Sequence, residues 1–296
     1  MAQPDRGATP TGQRVHKSRI KVLLGAQRHG KVGLTATRLL SAVGFENESK
    51  LTAVPHAQQH RGAHPEDRQL FTLAAVRVLR IACEESAWLL ERGYGVKSVL
   101  DVVSRRHQLH SRQRLALQRS MCSTSAGRSR IEKELSVREV QGRVLEIDGF
   151  NLVIGLEVAL SGGLLLRGLD GAIRDLAGLR GSYHAVEETS KALELLGNVF
   201  RELSIERAHF YLDSPVSNSG RLKTQIGESA ANWSVPIEVT LVANPDRVLQ
   251  QRECVVSSDS LVLDTSVSWF NVLKYVVDTR LKDVWFVELG GVETSR

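Results

Sequence analysis

Apolar positions follow two rhythms along the chain, and the change falls near residue 140. From Pro65, where Glu66 and Asp67 favour the positive end of a helix, Ala75, Val78, Leu79, Ala82, Leu89 and Leu90 recur at helical spacing until Gly93 stops them. Val96, Val99, Leu100 and Val103 make a second stripe, and Ser111 can cap a third helix that runs to about Met121. With the turn Arg106-His107-Gln108-Leu109-His110 between them, these short helices have the outline of a helix-turn-helix. Residues 64–122 are therefore expected to form a small all-α domain, and residues 123–139, Ser/Arg-rich and then Glu-rich, a linker. Beyond them, short apolar strands at 144–147, 208–212, 237–242, 254–256 and 284–287 alternate with helical segments. One or two helices are expected within 171–203, one at about 220–232 and one at about 260–280. In the last, Val267, Phe270, Leu273 and Val277 keep the core spacing, while Trp269 falls off that stripe, as an edge or interface residue would. Gly162-Gly163 and the stretch from Gly168 to Gly171 mark a turn-rich insertion, with no GxGxxG after a strand. This alternation, with right-handed crossovers, predicts an α/β domain over 140–290: a Rossmann-like, three-layer sandwich around a central parallel sheet.

Residues 1–63 read differently. Pro4, Pro10 and Pro55, polar runs such as Gln58-Gln59-His60-Arg61 and weak periodicity predict a basic, weakly ordered extension. Within it Gly25-Ala26-Gln27-Arg28-His29-Gly30-Lys31-Val32 nearly spells a P-loop, but Val32 stands where a Ser or Thr hydroxyl must bind Mg²⁺, so no nucleotide site is expected. Cys83, Cys122 and Cys254 form no CxxC pair, which argues against a zinc site or a disulfide framework and fits a reducing compartment. The apolar run at 22–24 is too short for a signal peptide, and no stretch approaches the ~18 apolar residues of a membrane span. A soluble cytoplasmic protein, with no membrane partner, is expected.

The net charge of +6 is unevenly spread. Residues 1–63 hold ten Lys/Arg against three Asp/Glu, residues 105–130 hold seven Arg and no acid, and residues 131–296 hold seventeen Lys/Arg against twenty-four Asp/Glu. A basic front half joined to an acidic back half suggests a polyanion grip beside a cation-binding site. Arg105, Arg106, Arg112, Arg114 and Arg119 are the candidate phosphate contacts; His107 and His110 read as surface residues.

The placement of acids on the α/β half is more informative. The first strand ends in Ile147-Asp148-Gly149-Phe150-Asn151, the second in Tyr211-Leu212-Asp213, and the fourth in Val256-Ser257-Ser258-Asp259. In an open α/β sheet, the carboxyl ends of the strands form the ligand crevice. One such Asp often only caps the next helix; three on different strands also supply the oxygen ligands that Mg²⁺ or Mn²⁺ prefers. A divalent cation held there lowers the pKa of a bound water, polarises a scissile phosphate and stabilises the leaving oxygen. Neither a Ser–His–Asp nor a Cys–His pattern competes. Around the trio, Asn151 can orient a ligand or cap a helix, and Asn218 with Ser219 can cap the helix whose start carries Arg221 and Lys223, a reasonable phosphate site. Asp246, in Asn244-Pro245-Asp246, reads as a turn residue on the same sheet edge.

Leu145-Glu146-Ile147-Asp148-Gly149-Phe150-Asn151 resembles the opening strand of PIN-like and NYN-type nucleases, and Val256-Ser257-Ser258-Asp259-Ser260 resembles their Ser-containing acidic motif on the fourth strand. Many of those enzymes place a second Asp two residues after the first; here Ser260 follows Asp259, and the next acid is Asp264. The run from Tyr211-Leu212-Asp213-Ser214-Pro215 through Asn218-Ser219-Gly220-Arg221-Leu222 resembles a signature of the prokaryotic domain-of-unknown-function family four-three-four, in which a helical module precedes a PIN-like module. His64-Pro65-Glu66-Asp67-Arg68, Arg92-Gly93-Tyr94 and Arg112-Gln113-Arg114 resemble its helical part, so the likeness covers about 64–289. It implies a PIN-like fold and a metal-dependent nuclease in which Asp148, Asp213 and Asp259 are catalytic and, with Asp264, bind Mg²⁺ or Mn²⁺. Asn151, Asn218, Arg221, Lys223 and the arginine block would bind nucleic acid, RNA before DNA.

Two rivals stand beside that expectation. One is a non-catalytic nucleic-acid-binding protein that keeps a degenerate PIN-like domain. The other, a small-molecule phosphohydrolase, is weakened because the first strand lacks the Asp-x-Asp of aspartyl-phosphate enzymes.

Overall fold

Thr72, whose hydroxyl accepts from the Ala75 N–H, starts the longest helix among the described residues of the protein's first half. In the computed structural model, which describes residues 60–178 and 181–290, that half is α1 (Asp67–Leu70), α2 (Leu73–Glu91), α3 (Val96–Arg106), α4 (Ser111–Ser120), α5 (Thr124–Glu132) and α6 (Val137–Val140). The P-loop-like run and all but the last four residues of the expected N-terminal extension lie outside the described residues. The cap of α4 is His110 rather than Ser111: its ring accepts from the Arg112 N–H while Gln113 accepts from the His110 N–H, a reciprocal capping box. Residues 123–139, expected as a linker, fold instead. Ser123 caps α5, Ser136 and Glu139 box α6, and the side chain of Arg130 is buried.

The second half runs β1 (Val144–Asp148), α7 (Gly149–Leu160), β2 (Leu165–Arg167), β3 (Ile173–Asp175), α8 (Glu188–Glu202), β4 (Arg207–Asp213), α9 (Ser219–Ala230), β5 (Ile237–Val242), α10 (Pro245–Leu249), β6 (Val255–Val256), α11 (Ser260–Thr265), α12 (Val272–Arg280) and β7 (Phe286–Glu288). Four strands pair in parallel in the order β5-β4-β1-β6. The remaining three make a second sheet, β3-β2-β7, antiparallel between β2 and β3 and parallel between β2 and β7. The expected strand at 284–287 thus leaves the central sheet, and the glycine-rich insertion becomes the β2–β3 hairpin, turned at Gly171 (φ +76°). The expected single helix at 260–280 is two, α11 and α12. Between them Val267 points outward, half exposed, and Trp269 is fully buried, its indole N–H donating to the Arg130 carbonyl at 2.6 Å. Trp269 is a core residue, not an edge.

Period two along the strands explains how the halves join. Leu165 packs into the main core with Leu156 and Ile173, while Leu164 and Leu166 on its other face pack with Leu79, Val103 and Leu117 of the helices. The second sheet is therefore a shared wall, and the apolar stripes of α2 to α4 close against it. On the central sheet, Leu145, Ile147, Phe210 and Leu212 face α7 and α8. Tyr211 and Val255 face the other way, against Leu249, Val262 and Trp269. The result is a mixed α/β protein with a parallel sheet behind a helical region. Among the described residues no helix is long and apolar enough to cross a membrane.

Candidate active site

The chain moves outward from β1 to β4 and β5, then returns to the opposite side of β1 with β6. That reversal makes a switch point at the carboxyl end of β1, where α/β sheets open a crevice. Asp148 closes β1 opposite Tyr211, Asp213 closes β4, Asp246 sits in the first turn of α10 after β5, and Ser257-Ser258-Asp259 follow β6.

Asp148 is 7% exposed and accepts from the Ser257 hydroxyl (3.0 Å) and the Asn151 N–H (3.3 Å). Burial pushes its carboxyl up to about 7; those two hydrogen bonds oppose the rise, and the charges of Asp246 and Asp213 add to it. Burial also raises Asp213. Asp246 is raised by burial and then by Asp259 and Asp213. The four carboxylates thus form one electrostatic community, of which Asp246 was read from sequence only as a turn residue. Asn151 braces the edge: its carbonyl accepts from the N–H (2.9 Å) and hydroxyl (3.0 Å) of Ser258. Capping is present as well. Asp148 caps α7 and Asp259 caps α11, accepting from the Leu261 N–H at 2.8 Å.

Gly149 shows why this turn takes no side chain. A Cβ there would meet Leu212 Cδ2 at 2.6 Å and the Tyr211 carbonyl at 3.1 Å, so β4 can lie against the start of α7 only beside glycine. Gly149→Ala is expected to destabilise the protein by about 1–3 kcal/mol through overpacking. Urea unfolding checks it; an unchanged midpoint would show that β4 yields freely.

The other expected residues separate. Asp264 belongs to a different network: Arg130 clasps it through Nε (2.7 Å) and Nη2 (2.9 Å), so its carboxylate is turned to a guanidinium and not to the three strand-end acids. Asn218 is the N-cap residue of α9, with φ +69° and no side-chain cap bond; its amide instead donates to the Tyr183 carbonyl at 2.9 Å and pins the loop after β4. Arg221 and Lys223 are exposed on the first turns of α9. The arginine block is largely used internally. Arg112 forks onto the buried Asp67, Arg114 bonds Asp101 (2.5 Å) and the Ser104 hydroxyl (2.6 Å), Arg106 meets Glu85 at 3.1 Å, and Arg119 bonds the Asp175 carbonyl at 2.6 Å. Arg105 stays exposed. Arg112 thereby pairs the fully buried Asp67, while the partners of Arg106 and Arg114 are partly exposed, so most of the block has acidic or carbonyl partners within the fold.

Sequence reading also missed a polar network on the sheet face below the acids. The Tyr211 hydroxyl bonds Glu146 (2.8 Å) and His209 Nδ1 (2.9 Å), and Arg252 reaches the other Glu146 oxygen at 2.8 Å. The signal was present: period two puts Glu146 and Asp148 on one side of β1, and His209, Tyr211 and Asp213 on one side of β4.

The donor chemistry suits a hard cation, being all oxygen and mutually repulsive. Among the described residues, however, no group of three or more His, Cys, Asp or Glu side chains is gathered closely enough to hold one. Mg²⁺ commonly needs only one or two carboxylates and takes its remaining ligands from water and substrate phosphate. The edge offers oxygen donors of the type that such a cation takes.

Fold and site define a two-part α/β protein with an acidic sheet edge. Residues 78–133 match the protein of unknown function DUF434, and residues 137–275 match the domain of unknown function DUF5616. The chain is 33% identical over 197 residues to "Uncharacterized protein MJ0935" of Methanocaldococcus jannaschii, covering 67% of this chain and 92% of that one. It belongs to the family defined by that helical and α/β pair. No solved structure matches it significantly.

Proposed function

We propose that the protein is a metal-dependent nuclease acting on RNA, with a PIN-like α/β domain. One observation carries the reading: at the switch point of a parallel sheet, buried Asp148 shares an electrostatic neighbourhood with Asp213 and Asp246 and, through Asp246, with Asp259. Neighbouring carboxylates repel unless one stays protonated or a cation is bound, and a cation is the relief that would let Asp148 ionise at neutral pH. Asp148 and Asp213 would hold Mg²⁺ or Mn²⁺, with Asp246 and Asp259 close enough to share its field. When bound, the ion would supply an activated water and charge stabilisation at the scissile phosphate. The chain's own residues do the rest. Ser257 and the Asn151 N–H hold the Asp148 carboxylate in one orientation, and Asn151 fixes Ser258 and hence the start of α11. The chemistry is phosphodiester hydrolysis, in a cytoplasmic setting.

The test is cleavage of single-stranded and structured RNA by purified protein with Mn²⁺ or Mg²⁺, against EDTA. Metal-dependent cleavage is expected; its absence together with metal-independent stability would overturn the reading. The open ligand set favours a second one, a non-catalytic nucleic-acid-binding protein with a degenerate PIN-like domain. RNA binding without cleavage would select it.

A further inference from the structure

The acidic edge does not end in open solvent on every side. Between the helices and the β6–α11 edge lies a cleft of about 790 Å³. Asn151, Ser258 and Asp259 line it, so it begins at the carboxylate edge itself. Its opposite wall comes from the helical region: Tyr94, Val96 and Leu115 contribute apolar surface, and Tyr94 is 58% exposed. Arg119, Arg130 and Arg174 also line it, outnumbering Asp259 and Asp264 among the charged groups there.

These arginines are fixed before any ligand arrives. Arg130 and Arg174 are 4% and 6% exposed and both clasp Asp170, at 2.7 Å from Arg130 and at 2.6 and 2.8 Å from Arg174. Arg174 also donates to the Ser258 carbonyl at 2.7 Å. Arg119 is held by the Asp175 and Ala177 carbonyls and, more loosely, by the Asp175 carboxylate at 3.4 Å. A guanidinium carries five N–H donors, and these bonds leave Arg119 with donors to spare. Arg130 and Arg174 are committed to Asp170, Asp264 and the Ser258 carbonyl, so the cleft offers an aromatic face, an aliphatic wall and one guanidinium with free donors, Arg119, in a volume within the ~300–1,000 Å³ of small-ligand sites. A nucleotide is the ligand class that needs all three: a planar ring to stack, a sugar to pack and a phosphate to neutralise. A base paired within a duplex cannot enter such a cleft, because its faces are already stacked.

We propose that this cleft takes one unpaired nucleotide of a single-stranded nucleic acid, its base stacked on Tyr94 and its phosphate turned to Arg119, with the neighbouring phosphodiester at the carboxylate edge. The proposal rests on the nuclease reading for what happens at that edge, but the binding it describes requires no metal. Strand selectivity then comes from the helical region, through one ring, while the arginine block works mainly inside the fold.

Anisotropy of a short fluorescein-labelled single-stranded RNA, measured in EDTA, tests it. Tyr94→Ala and Tyr94→Leu are each expected to weaken binding about tenfold, the weight of one base–ring stack, and Tyr94→Phe to bind like wild type. The duplex of the same sequence is expected to bind more weakly and without dependence on residue 94. Since Tyr94 is more than half exposed, the variants should melt with wild type; should Tyr94→Ala melt early, Tyr94→Leu against Tyr94→Phe still decides. Unchanged binding by both Ala and Leu variants, equal dependence for the duplex, or no binding by wild type each overturns the proposal. Cleavage is scored separately: Tyr94-dependent binding without metal-dependent cleavage sinks the nuclease reading alone, and cleavage indifferent to Tyr94 sinks this proposal alone.

Discussion

Asp148→Asn is expected to reduce Mn²⁺-dependent RNA cleavage by more than about 100-fold, since even outer partners of a metal ligand are worth roughly 10- to 100-fold. Asn keeps the shape: its oxygen can still accept from the Asn151 N–H, and its amide can donate to the Ser257 hydroxyl oxygen in place of the bond that Ser257 gave, so the fold should survive while the charge that holds a cation is lost. A second measurement does not need the substrate. In the metal-free protein the Asp148 carboxyl ionises near 7 instead of 3.8. Between those values the unfolded chain has released a proton that the folded one keeps. This group's contribution is therefore complete below the ordinary value and disappears as pH rises through about 7. Asn has no proton to lose. The metal-free variant should lack this decline and exceed wild type at neutral pH by roughly 1–3 kcal/mol. Adding Mn²⁺ should reverse the order, because a cation that binds only the folded form raises wild-type stability by about 2.7 kcal/mol at a hundredfold excess over Kd. Urea unfolding from pH 4.5 to 7.5, with EDTA and with Mn²⁺, reads both effects. Parallel curves for the two proteins would remove Asp148 from the site, and Na⁺ at matched ionic strength excludes a general salt effect.

Asp170→Asn is expected to be the most destabilising of these changes, by about 3–5 kcal/mol, because it leaves buried guanidinium charge without its partner. Asp170 is 1% exposed and is the only carboxylate bonded to Arg174 among the described residues. Burial alone would raise its pKa, but Arg174 and then Arg130 outweigh that and hold it below its ordinary value. Its stabilisation is present above the ordinary carboxylate range and is lost only as pH falls through the lower folded value, so the deficit should persist across neutral pH. At about 2–4 °C per kcal/mol for a domain of this size, the melting temperature should drop by roughly 10 °C. A shift under about 2 °C would mean that Arg174 finds solvent easily and that the cluster is not a structural pivot. The same substitution frees the Arg174 side chain that bonds the Ser258 carbonyl. Cleavage should then fall even at temperatures where the variant is folded.

What the chain determined locally is clear from particular residues. The stripes Val99-Leu100-Val103 and Leu79-Ala82 became buried helix faces, and 237–242 became β5, because side-chain period alone dictates which face is apolar. The acids at 148, 213 and 259 could be placed at strand ends because strand, turn and helix start follow one another within a few residues. Contacts between distant segments were not legible in this way. Nothing near Phe286 says that β7 pairs with β2 and not with the central sheet, since parallel pairing is chosen by which surfaces remain uncovered. Arg112 and Asp67 are 45 residues apart, and Arg130 and Asp264 are 134 apart. The pairing of Arg112, Arg114 and Arg119 was therefore invisible in a run of arginines without local acids, and only packing supplied it. Trp269 was misplaced for a related reason: helical spacing was extended across 266–271, where the chain instead crosses between Glu134 and Val255 and buries the indole. Asp246 joined the carboxylates only when strand order laid the end of β5 beside β4, one strand from β1. Local period set the elements and the identity of most of the acids. Their electrostatic coupling, the neutralised arginines and the cleft beside Tyr94 depend on burial and on long-range pairing, and only the tertiary structure decides those.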